Sequence, residues 1–282
     1  MSILHAIILG ITQGLCEFLP ISSSGHLILV PWLFGWNDFN GDLALEKTFD
    51  VALHLGTFIS LLLYFWRDAV EILVAWGHSV RKRRTETETE RLAWLLIIST
   101  IPAGLAGLAL ESFVEETLGQ PYLIAIMLIV FGIVLWVADR IAKRDRDVSS
   151  VNKKGALAIG TAQVLALAPG VSRSGITMTA ALLLRLDRES AARYAFLMSL
   201  PVIGSAALYK LLKLFVDGMP EGAAVPFAVG VVSATVSGFI AVWFMLAFLR
   251  KNTFTRFVIY RLVLGAAVLI IIAAGWRSAT IG

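Results

Sequence analysis

Long apolar stretches separated by short polar segments occupy most of this chain. A helix needs about 20 apolar residues to cross a bilayer, within a range of about 17–25. Six stretches approach or reach that length: residues 51–66, 92–110, 122–138, 194–215, 224–249 and 257–275. The pattern predicts an all-α integral membrane protein with about six transmembrane helices, forming a single membrane domain over residues 1–282.

Four other apolar stretches are too short or too polar to span a membrane alone, and they form two adjacent pairs. They cover residues 3–19, 27–36, 155–168 and 176–186. The polar turn PISSSGH splits the first pair, and PGVSRSG splits the second. Short apolar segments joined by a Gly/Ser turn are typical of re-entrant structure. The sequence therefore predicts two re-entrant helical hairpins, at about 3–36 and about 155–186.

The basic residues predict how the chain is oriented. Most of its 24 Lys and Arg residues lie in segments 67–91, 139–154, 185–193 and 250–256. Loops rich in Lys and Arg face the cytoplasm, so the acidic loops 111–121 and 216–223 are expected outside. Counting the crossings from there, the first hairpin enters the membrane from outside and the second from the cytoplasm.

The two halves of the chain match each other at an offset of 150 residues. Gly10, Gln13, Ser22, Ser24 and Gly25 correspond to Gly160, Gln163, Ser172, Ser174 and Gly175. Because the second hairpin enters from the opposite face, we expect an inverted-topology repeat, with halves at 1–138 and 155–275. Such repeats place their sites near the membrane midplane, at the interface between the halves.

Composition and charge agree with this topology. The chain is 58% hydrophobic and 16% charged, whereas a soluble domain carries about 25% charged residues. Its net charge of +4 follows the membrane topology, so we expect no nucleic-acid partner. Cys16 is the single cysteine, which excludes a disulfide within this sequence, and we interpret it as a small buried hydrophobe.

The polar turns have the chemistry of an anion site. Each precedes a short apolar helix, whose free N–H groups and positive dipole end favour an anion. Arg173 adds a planar guanidinium suited to phosphate. Hydroxyl groups surround it in both turns: Ser22, Ser23, Ser24, Ser172, Ser174 and Thr177. The two turns together predict a phosphate or diphosphate site.

Three residues near the first turn are candidates for catalysis. Glu17 is ionisable within an apolar run, which is costly and points to function. It can act as a base or a divalent-cation ligand, and Gln13, on the same helix face, is a weaker ligand. Ser23 can be the attacking hydroxyl if Glu17 or His26 takes its proton, and His26 can be the nucleophile itself. The nucleophile stays open between Ser23 and His26.

Simpler interpretations exist for several residues. Ser/Gly turns can serve helix packing alone, and Glu17 can be a structural ion-pair partner of Arg173. His54 lies in FDVALHLGTF, where a buried core histidine is the simpler interpretation. We interpret Asp139 and Asp187, each followed by an arginine, as solvated loop charges at the ends of spans.

Two motifs resemble those of a known family. QGLCEFLPISSSGH is similar to the (E/Q)-x-x-x-E motif and serine-rich segment of the undecaprenyl-diphosphate phosphatases, the bacitracin-resistance protein family. PGVSRSGIT resembles that family's second signature. The resemblance extends over the whole chain, including FDVALHLGT and FWRD. Gln13 stands at the first motif position, where some members have Glu.

The resemblance implies hydrolysis of undecaprenyl diphosphate to the monophosphate and inorganic phosphate, recycling the lipid carrier for peptidoglycan and cell-wall synthesis and conferring bacitracin resistance. It also implies a divalent cation, Mg²⁺ or Ca²⁺, and a location in the bacterial inner (plasma) membrane with the active site facing the periplasm. A homodimer is among the assemblies we expect.

The same resemblance implies roles for individual residues. Glu17 would be the base or metal ligand, Ser23 the nucleophile, and His26 a proton shuttle or the rival nucleophile. Residues of the second signature would bind the phosphate: Arg173, Ser172, Ser174 and Thr177.

The main alternative is a transporter or flippase of a polyprenyl phosphate lipid, because transporters also contain inverted repeats and re-entrant segments. Such a protein would use Arg173 to bind the anion, but it would not need Ser23 and His26 as reactive groups. A dual role stays open. A structural scaffold would leave Glu17 and Arg173 unexplained.

Overall fold

The computed structural model describes residues 1–39, 42–113, 117–217 and 222–281. Side chains are not described at 43–44, 111–113 and 206–217, so parts of the acidic loop segments at 111–121 and 216–223 lie outside the described residues. Eleven α-helices form in the described part of the chain. They are α1 (Ile3–Phe18), α2 (Ser23–Phe34), α3 (Leu43–Tyr64), α4 (Trp66–Lys82), α5 (Glu88–Phe113), α6 (Pro121–Ile141), α7 (Lys153–Gln163), α8 (Arg173–Leu183), α9 (Arg188–Asp217), α10 (Ala224–Leu249) and α11 (Thr255–Ala273).

Four of these helices are long and apolar enough to cross a membrane. They are Glu88–Leu110 of α5, and α6, α10 and α11. This confirms an all-helical chain with several candidate membrane spans. The stretches predicted as spans at 51–66 and 194–215 lie in α3 and α9, which are helical but are not among the four within the described residues. Six transmembrane helices therefore stay a prediction.

The two short helices after the polar turns begin earlier than the apolar pattern predicted. The pattern placed their starts at 27 and 176, but α2 begins at Ser23 and α8 at Arg173, inside the polar turns. The hydroxyl oxygen of Ser22 accepts a hydrogen bond from the N–H of Gly25, and that of Ser172 accepts one from Gly175. Capping of this kind satisfies N–H groups that a helix start leaves free, so the serines start the helices.

Close backbone contacts fix the first helix of each half. α1 packs along α10, and α7 packs along α5. A Cβ on Gly10 would lie 2.5 Å from the carbonyl oxygen of Gly230, and a Cβ on Gly160 would lie 2.3 Å from that of Ser99. Glycine is required at both positions because the neighbouring backbones touch there, as in other close helix pairs of membrane proteins.

Buried apolar side chains hold the end of α1 in place. Phe18, the residue after Glu17, is buried and packs edge-on against Phe196 of α9, with 5.5 Å between the ring centroids. Leu61 of α3 and Met245 of α10 belong to the same buried cluster. Three helices thus fix the end of α1, where Glu17 lies.

Asp139 is not the solvated loop charge that we predicted. Its side chain is buried, and its carboxylate accepts hydrogen bonds from Nε of Arg188 at 2.6 Å and from the N–H of Phe254 at 3.3 Å. Arg144 lies 3.9 Å away. A carboxylate can be buried when it is paired and hydrogen-bonded in this way. Asp139 therefore connects the end of α6 to the starts of α9 and α11, whereas the half-buried Asp187 caps α9.

Candidate active site

Hydrogen bonds between the two polar turns bring them together. The hydroxyl oxygen of Ser22 in the first turn accepts from the N–H of Gly170 in the second, at 3.0 Å. In return, the Ser174 hydroxyl donates to the carbonyl of Leu19 at 3.1 Å. The two turns, which are far apart in sequence, therefore lie against each other, as the sequence predicted.

The two serine caps have the same unusual backbone. Ser22 has φ 75° and Ser172 has φ 76°, a region that residues with a Cβ rarely adopt. Holding a non-glycine residue there costs on the order of 1–3 kcal/mol and is common at functional sites. The correspondence between residues 150 apart in the sequence thus extends to the backbone conformation of the two turns.

Glu17 is the centre of the hydrogen-bond network. It is 5% exposed, and its Oε1 accepts from the Arg173 guanidinium in an ion pair. Its Oε2 accepts from the Ser23 hydroxyl at 2.6 Å and from Nε2 of Gln13 at 3.0 Å. A carboxylate, a hydroxyl and a guanidinium therefore lie in direct contact, with the hydroxyl proton already directed at the carboxylate.

His54 belongs to this network and is not the core histidine that we predicted. Its Nε2 lies 3.6 Å from Oε2 of Glu17, and a third of its side chain is exposed. Its Nδ1 lies 2.8 Å from the carbonyl oxygen of Asp50, one helical turn earlier. Hydropathy cannot distinguish a histidine facing the core from one facing a carboxylate on another helix.

His26 occupies a separate part of the site. Its Nδ1 lies 2.7 Å from the carbonyl oxygen of Ser22, and its Nε2 lies 2.7 Å from the Tyr260 hydroxyl. A carbonyl only accepts, so in the neutral ring Nδ1 carries the hydrogen and Nε2 accepts from the tyrosine. Both ring nitrogens are therefore engaged. Sequence reasoning missed Tyr260, because an aromatic residue within an apolar span carries no distinguishing pattern.

The hydroxyl groups of the two turns differ in accessibility. Ser23, Ser24 and Arg173 are half-buried. The other hydroxyl groups predicted to bind phosphate are buried and engaged in hydrogen bonds within or between the turns: Ser22, Ser172, Ser174 and Thr177. Only the first group presents side chains to an incoming ligand in this arrangement, and the second group shapes the backbone around it.

Arg261 is a site residue that sequence reasoning missed. It lies on α11, is fully buried, and donates to the carbonyl oxygens of Pro20 at 3.2 Å and Gly170 at 2.8 Å, one from each polar turn. It also donates to the carbonyls of Leu128 and Val171. No carboxylate pairs with it within the described ranges. An intramembrane arginine is a functional candidate by default, which is the signal that could have found it.

Two oxygen-bearing side chains could hold a divalent cation. Oε1 of Gln13 is buried and has no hydrogen-bond partner in the described part of the chain, and Glu17 lies one helical turn further on. Among the described residues there is no cluster of three or more His, Cys, Asp or Glu side chains that could hold a metal. The donor set fits Mg²⁺, which often takes one or two carboxylates and completes its coordination with waters and substrate phosphates.

Comparison with known proteins gives a consistent result over nearly the whole chain. Residues 6–267 match the family model described as "Bacitracin resistance protein BacA". The chain is 49% identical over 276 residues to the undecaprenyl-diphosphatase of Pelobacter propionicus, covering 98% of this chain and 99% of that protein. It is 44% identical over 276 residues to that of Moorella thermoacetica, with coverage of 98% and 99%. For that of Trichlorobacter lovleyi, identity is 46% over 279 residues, with coverage of 99% and 100%.

Proposed function

Because the chain belongs to the bacitracin resistance protein BacA family, we propose that it is a multi-pass membrane phosphatase that converts undecaprenyl diphosphate to the monophosphate and inorganic phosphate. This reaction recycles the lipid carrier for peptidoglycan synthesis, and it fits the resistance to bacitracin in the family's name. One observation carries the proposal for the site. The Ser23 hydroxyl donates to Glu17, and Glu17 is paired with Arg173 from the other turn.

Ser23 is the proposed nucleophile and Glu17 the proposed base. The Ser23 proton already points to Oε2 of Glu17 at 2.6 Å, which is hydrogen-bond reach for general-base catalysis. As this proton moves to Glu17, Oγ of Ser23 bonds to the terminal phosphorus. The bond from that phosphorus to the bridging oxygen breaks, and undecaprenyl phosphate leaves. Water then cleaves the phosphoserine, which restores Ser23 and releases inorganic phosphate.

Arg173 is the proposed phosphate-binding group. Its guanidinium is partly exposed and matches the equatorial oxygens of a phosphoryl group, whose charge must be stabilised in the transition state. In the structure described here it contacts Glu17 instead. We propose that substrate phosphate replaces Glu17 as the partner of Arg173, so that the carboxylate becomes free to accept the Ser23 proton.

His26 is the rival nucleophile. The hydrogen bonds of its two ring nitrogens to Ser22 and Tyr260 favour a positioned imidazole that moves protons rather than attacks phosphorus. Trapping the phosphorylated enzyme distinguishes the two roles, because a phosphoserine survives acid and a phosphohistidine is lost. An acid-labile adduct at His26 would exclude Ser23 as the nucleophile.

A divalent cation, Mg²⁺ or Ca²⁺, is the proposed cofactor, with Glu17 and Gln13 as its protein ligands. When bound, such an ion would offset the negative charge of the diphosphate. The unpartnered Oε1 of Gln13 supports this assignment. The protein fixes the orientation of the Gln13 amide, because Nε2 of Gln13 donates to Glu17.

We also propose that the chain is an inverted-topology repeat with halves at 1–138 and 155–275. Six transmembrane helices would accompany two re-entrant hairpins, at about 3–36 and about 155–186. The matching serine caps and the matching close-packed Gly10 and Gly160 support this. So does the crosswise packing, in which the first helix of each half lies against a helix of the other half. The family resemblance alone favours a location in the bacterial inner membrane with the site open towards the periplasm, because the two hairpins would enter from opposite faces.

The first experiment measures phosphate release from undecaprenyl diphosphate by the detergent-purified protein, with Ser23→Ala beside Ser24→Ala. Ser24 is the matched control because it is also a half-buried serine of the same turn but does not contact Glu17. We expect Ser23→Ala to lose activity by at least about a hundredfold, whereas Ser24→Ala, which removes one ligand-facing hydroxyl but no contact with Glu17, should lose no more than about tenfold. Lipid binding without phosphate release by the wild-type protein would instead favour the transporter alternative.

A further inference from the structure

A cavity lined by both cationic and apolar side chains lies apart from the candidate active site. It has a volume of about 670 Å³ and lies between the end of α4, the first turns of α5 and the start of α7. Four cationic side chains line it: Arg83, Arg84, Arg91 and Lys153. None of its lining residues belongs to the network around Glu17. We call it the basic cavity.

Most of the positive charge in the basic cavity is not neutralised by the protein. Arg84 pairs with Glu86 at 2.7 Å. Arg91 donates to two backbone carbonyls of the segment before α7, which carry no formal charge. Across the residues that the structure describes, no carboxylate forms an ion pair with Arg83, Arg91 or Lys153. The cavity therefore favours an anionic occupant.

The wall of the basic cavity is apolar. Trp94, Leu95 and Ile98 of α5 line it beside the cations. The indole N–H of Trp94 donates to the Ser79 hydroxyl of α4 at 2.8 Å, which fixes the orientation of the ring. A soluble anion gains nothing from such a wall, whereas the glycerol and upper acyl region of a lipid can pack against it. Tryptophan at a polar–apolar boundary is also typical of the membrane interface.

The helix before the basic cavity has the pattern of an interfacial helix. Trp66, Val70, Leu73 and Val80 of α4 share one face at helical spacing, and about half or more of each side chain is exposed. The helix ends in the basic run RKRR, and it is not among the candidate spans. An exposed apolar face combined with basic residues is typical of a helix lying in the headgroup region. The cavity at its end is then at the depth of lipid phosphates.

We propose that the basic cavity binds an anionic phospholipid of the surrounding bilayer. Its phosphate would lie on Arg83, Arg91 and Lys153, and its upper acyl chains against Trp94 and Ile98. Basic pockets between membrane helices are known to select anionic headgroups. This lipid is distinct from the undecaprenyl substrate, and the proposal does not depend on the identity of the catalysed reaction.

Native mass spectrometry of the delipidated full-length protein tests this proposal. The added probes are phosphatidylglycerol, phosphatidylcholine and soluble glycerol phosphate. The cavity variant carries both Arg83→Gln and Lys153→Gln. The control variant carries both Arg140→Gln and Arg256→Gln, which removes the same charge from exposed positions outside the cavity. Neither pair forms an ion pair within the described ranges, and the control loses only the exposed cation–π contacts of Arg140 with Trp136 and of Arg256 with Phe248. We therefore expect both variants to unfold close to the wild-type temperature.

We expect the wild type and the control to prefer phosphatidylglycerol to phosphatidylcholine. The cavity variant should lose about thirtyfold in phosphatidylglycerol affinity, since each basic group near a membrane surface contributes about 1 kcal/mol. An equal loss in the control, or equal binding of phosphatidylcholine by the wild type, would overturn the proposal. Displacement of phosphatidylglycerol by glycerol phosphate at matched concentration would also overturn it, because the site would then hold a soluble anion.

Discussion

Glu17 and Arg173 are separated by 156 residues in the sequence and form an ion pair that joins the two polar turns of the candidate active site. The pair lies in a largely buried setting, so each charge depends on the other for its solvation. The contact is structural in the state described, and it also places the proposed base, which accepts from the Ser23 hydroxyl, beside the proposed phosphate-binding group. Substitutions at these two positions can separate the structural from the chemical contribution.

Replacing Arg173 should lower the activity by more than any loss of folded protein accounts for. We expect Arg173→Ala to lower kcat/KM by at least about a hundredfold, as loss of a group that stabilises transition-state charge does. Arg173→Lys keeps the charge but loses the planar fork, so it should recover only part of the activity. Kinetics with undecaprenyl diphosphate, beside thermal unfolding in the same detergent, measure both effects. Turnover of a folded Arg173→Ala protein at the wild-type rate would exclude the proposed role.

The hydroxyl of Tyr260 should act through His26. Tyr260→Phe removes the only side-chain hydrogen bond to Nε2 of His26 within the described residues, and we expect kcat to fall by about tenfold. The double variant with His26→Ala should be no slower than His26→Ala alone, because contacting groups are not additive. Tyr122→Phe, at an exposed tyrosine outside the site, is the control. Additive losses in the double variant would mean that the two residues act independently.

Arg261 should be essential for the stability of both turns. Arg261→Met leaves the carbonyls of Pro20, Gly170 and Val171, which lie outside helices, without this buried donor, and each unsatisfied group costs about 1–3 kcal/mol. We therefore expect a loss of several kcal/mol of unfolding free energy, or failure to fold, and Arg261→Lys should recover little because a single ammonium cannot reach all these oxygens. Arg256→Met, at an exposed position on the same helix, should change stability by less than about 1 kcal/mol. Denaturation in detergent compares the three variants, and wild-type stability of Arg261→Met would contradict the assignment.

The close-packed glycines offer a test of the crosswise packing. A methyl group at Gly10 or Gly160 would overlap the backbone of the neighbouring helix, whereas one at Gly104 of α5 meets nothing within 4 Å. We expect Gly10→Ala and Gly160→Ala each to destabilise the protein by about 1–3 kcal/mol. Gly104→Ala should be neutral or stabilising, since alanine favours a helix over glycine by about 1 kcal/mol. Similar melting temperatures for all three variants would show that α1 and α7 are not in contact as described.

Local sequence was sufficient for the helical class, the two polar turns and most of the network around Glu17. The length of an apolar stretch indicates whether a helix could cross a bilayer. Gln13, Glu17 and Ser23 are close enough in sequence for local geometry to bring them together. The match at an offset of 150 residues correctly indicated that the second turn belongs with the first. The start of each short helix was misplaced, because a serine cap turns polar residues into the first helical turn.

The remaining parts of the site depended on packing between helices that are distant in sequence. His54 faces Glu17 from α3, and Tyr260 and Arg261 reach the turns from α11. Within their own apolar spans these three side chains follow no pattern that reveals a partner, and the same is true of Asp139 beside Arg188. The sequence by itself determined the helical class, the presence of several long apolar helices and the places where polar chemistry interrupts the apolar segments. Only the tertiary structure decided which side chains meet there, because a buried polar group is stabilised by partners that the folded arrangement of helices supplies.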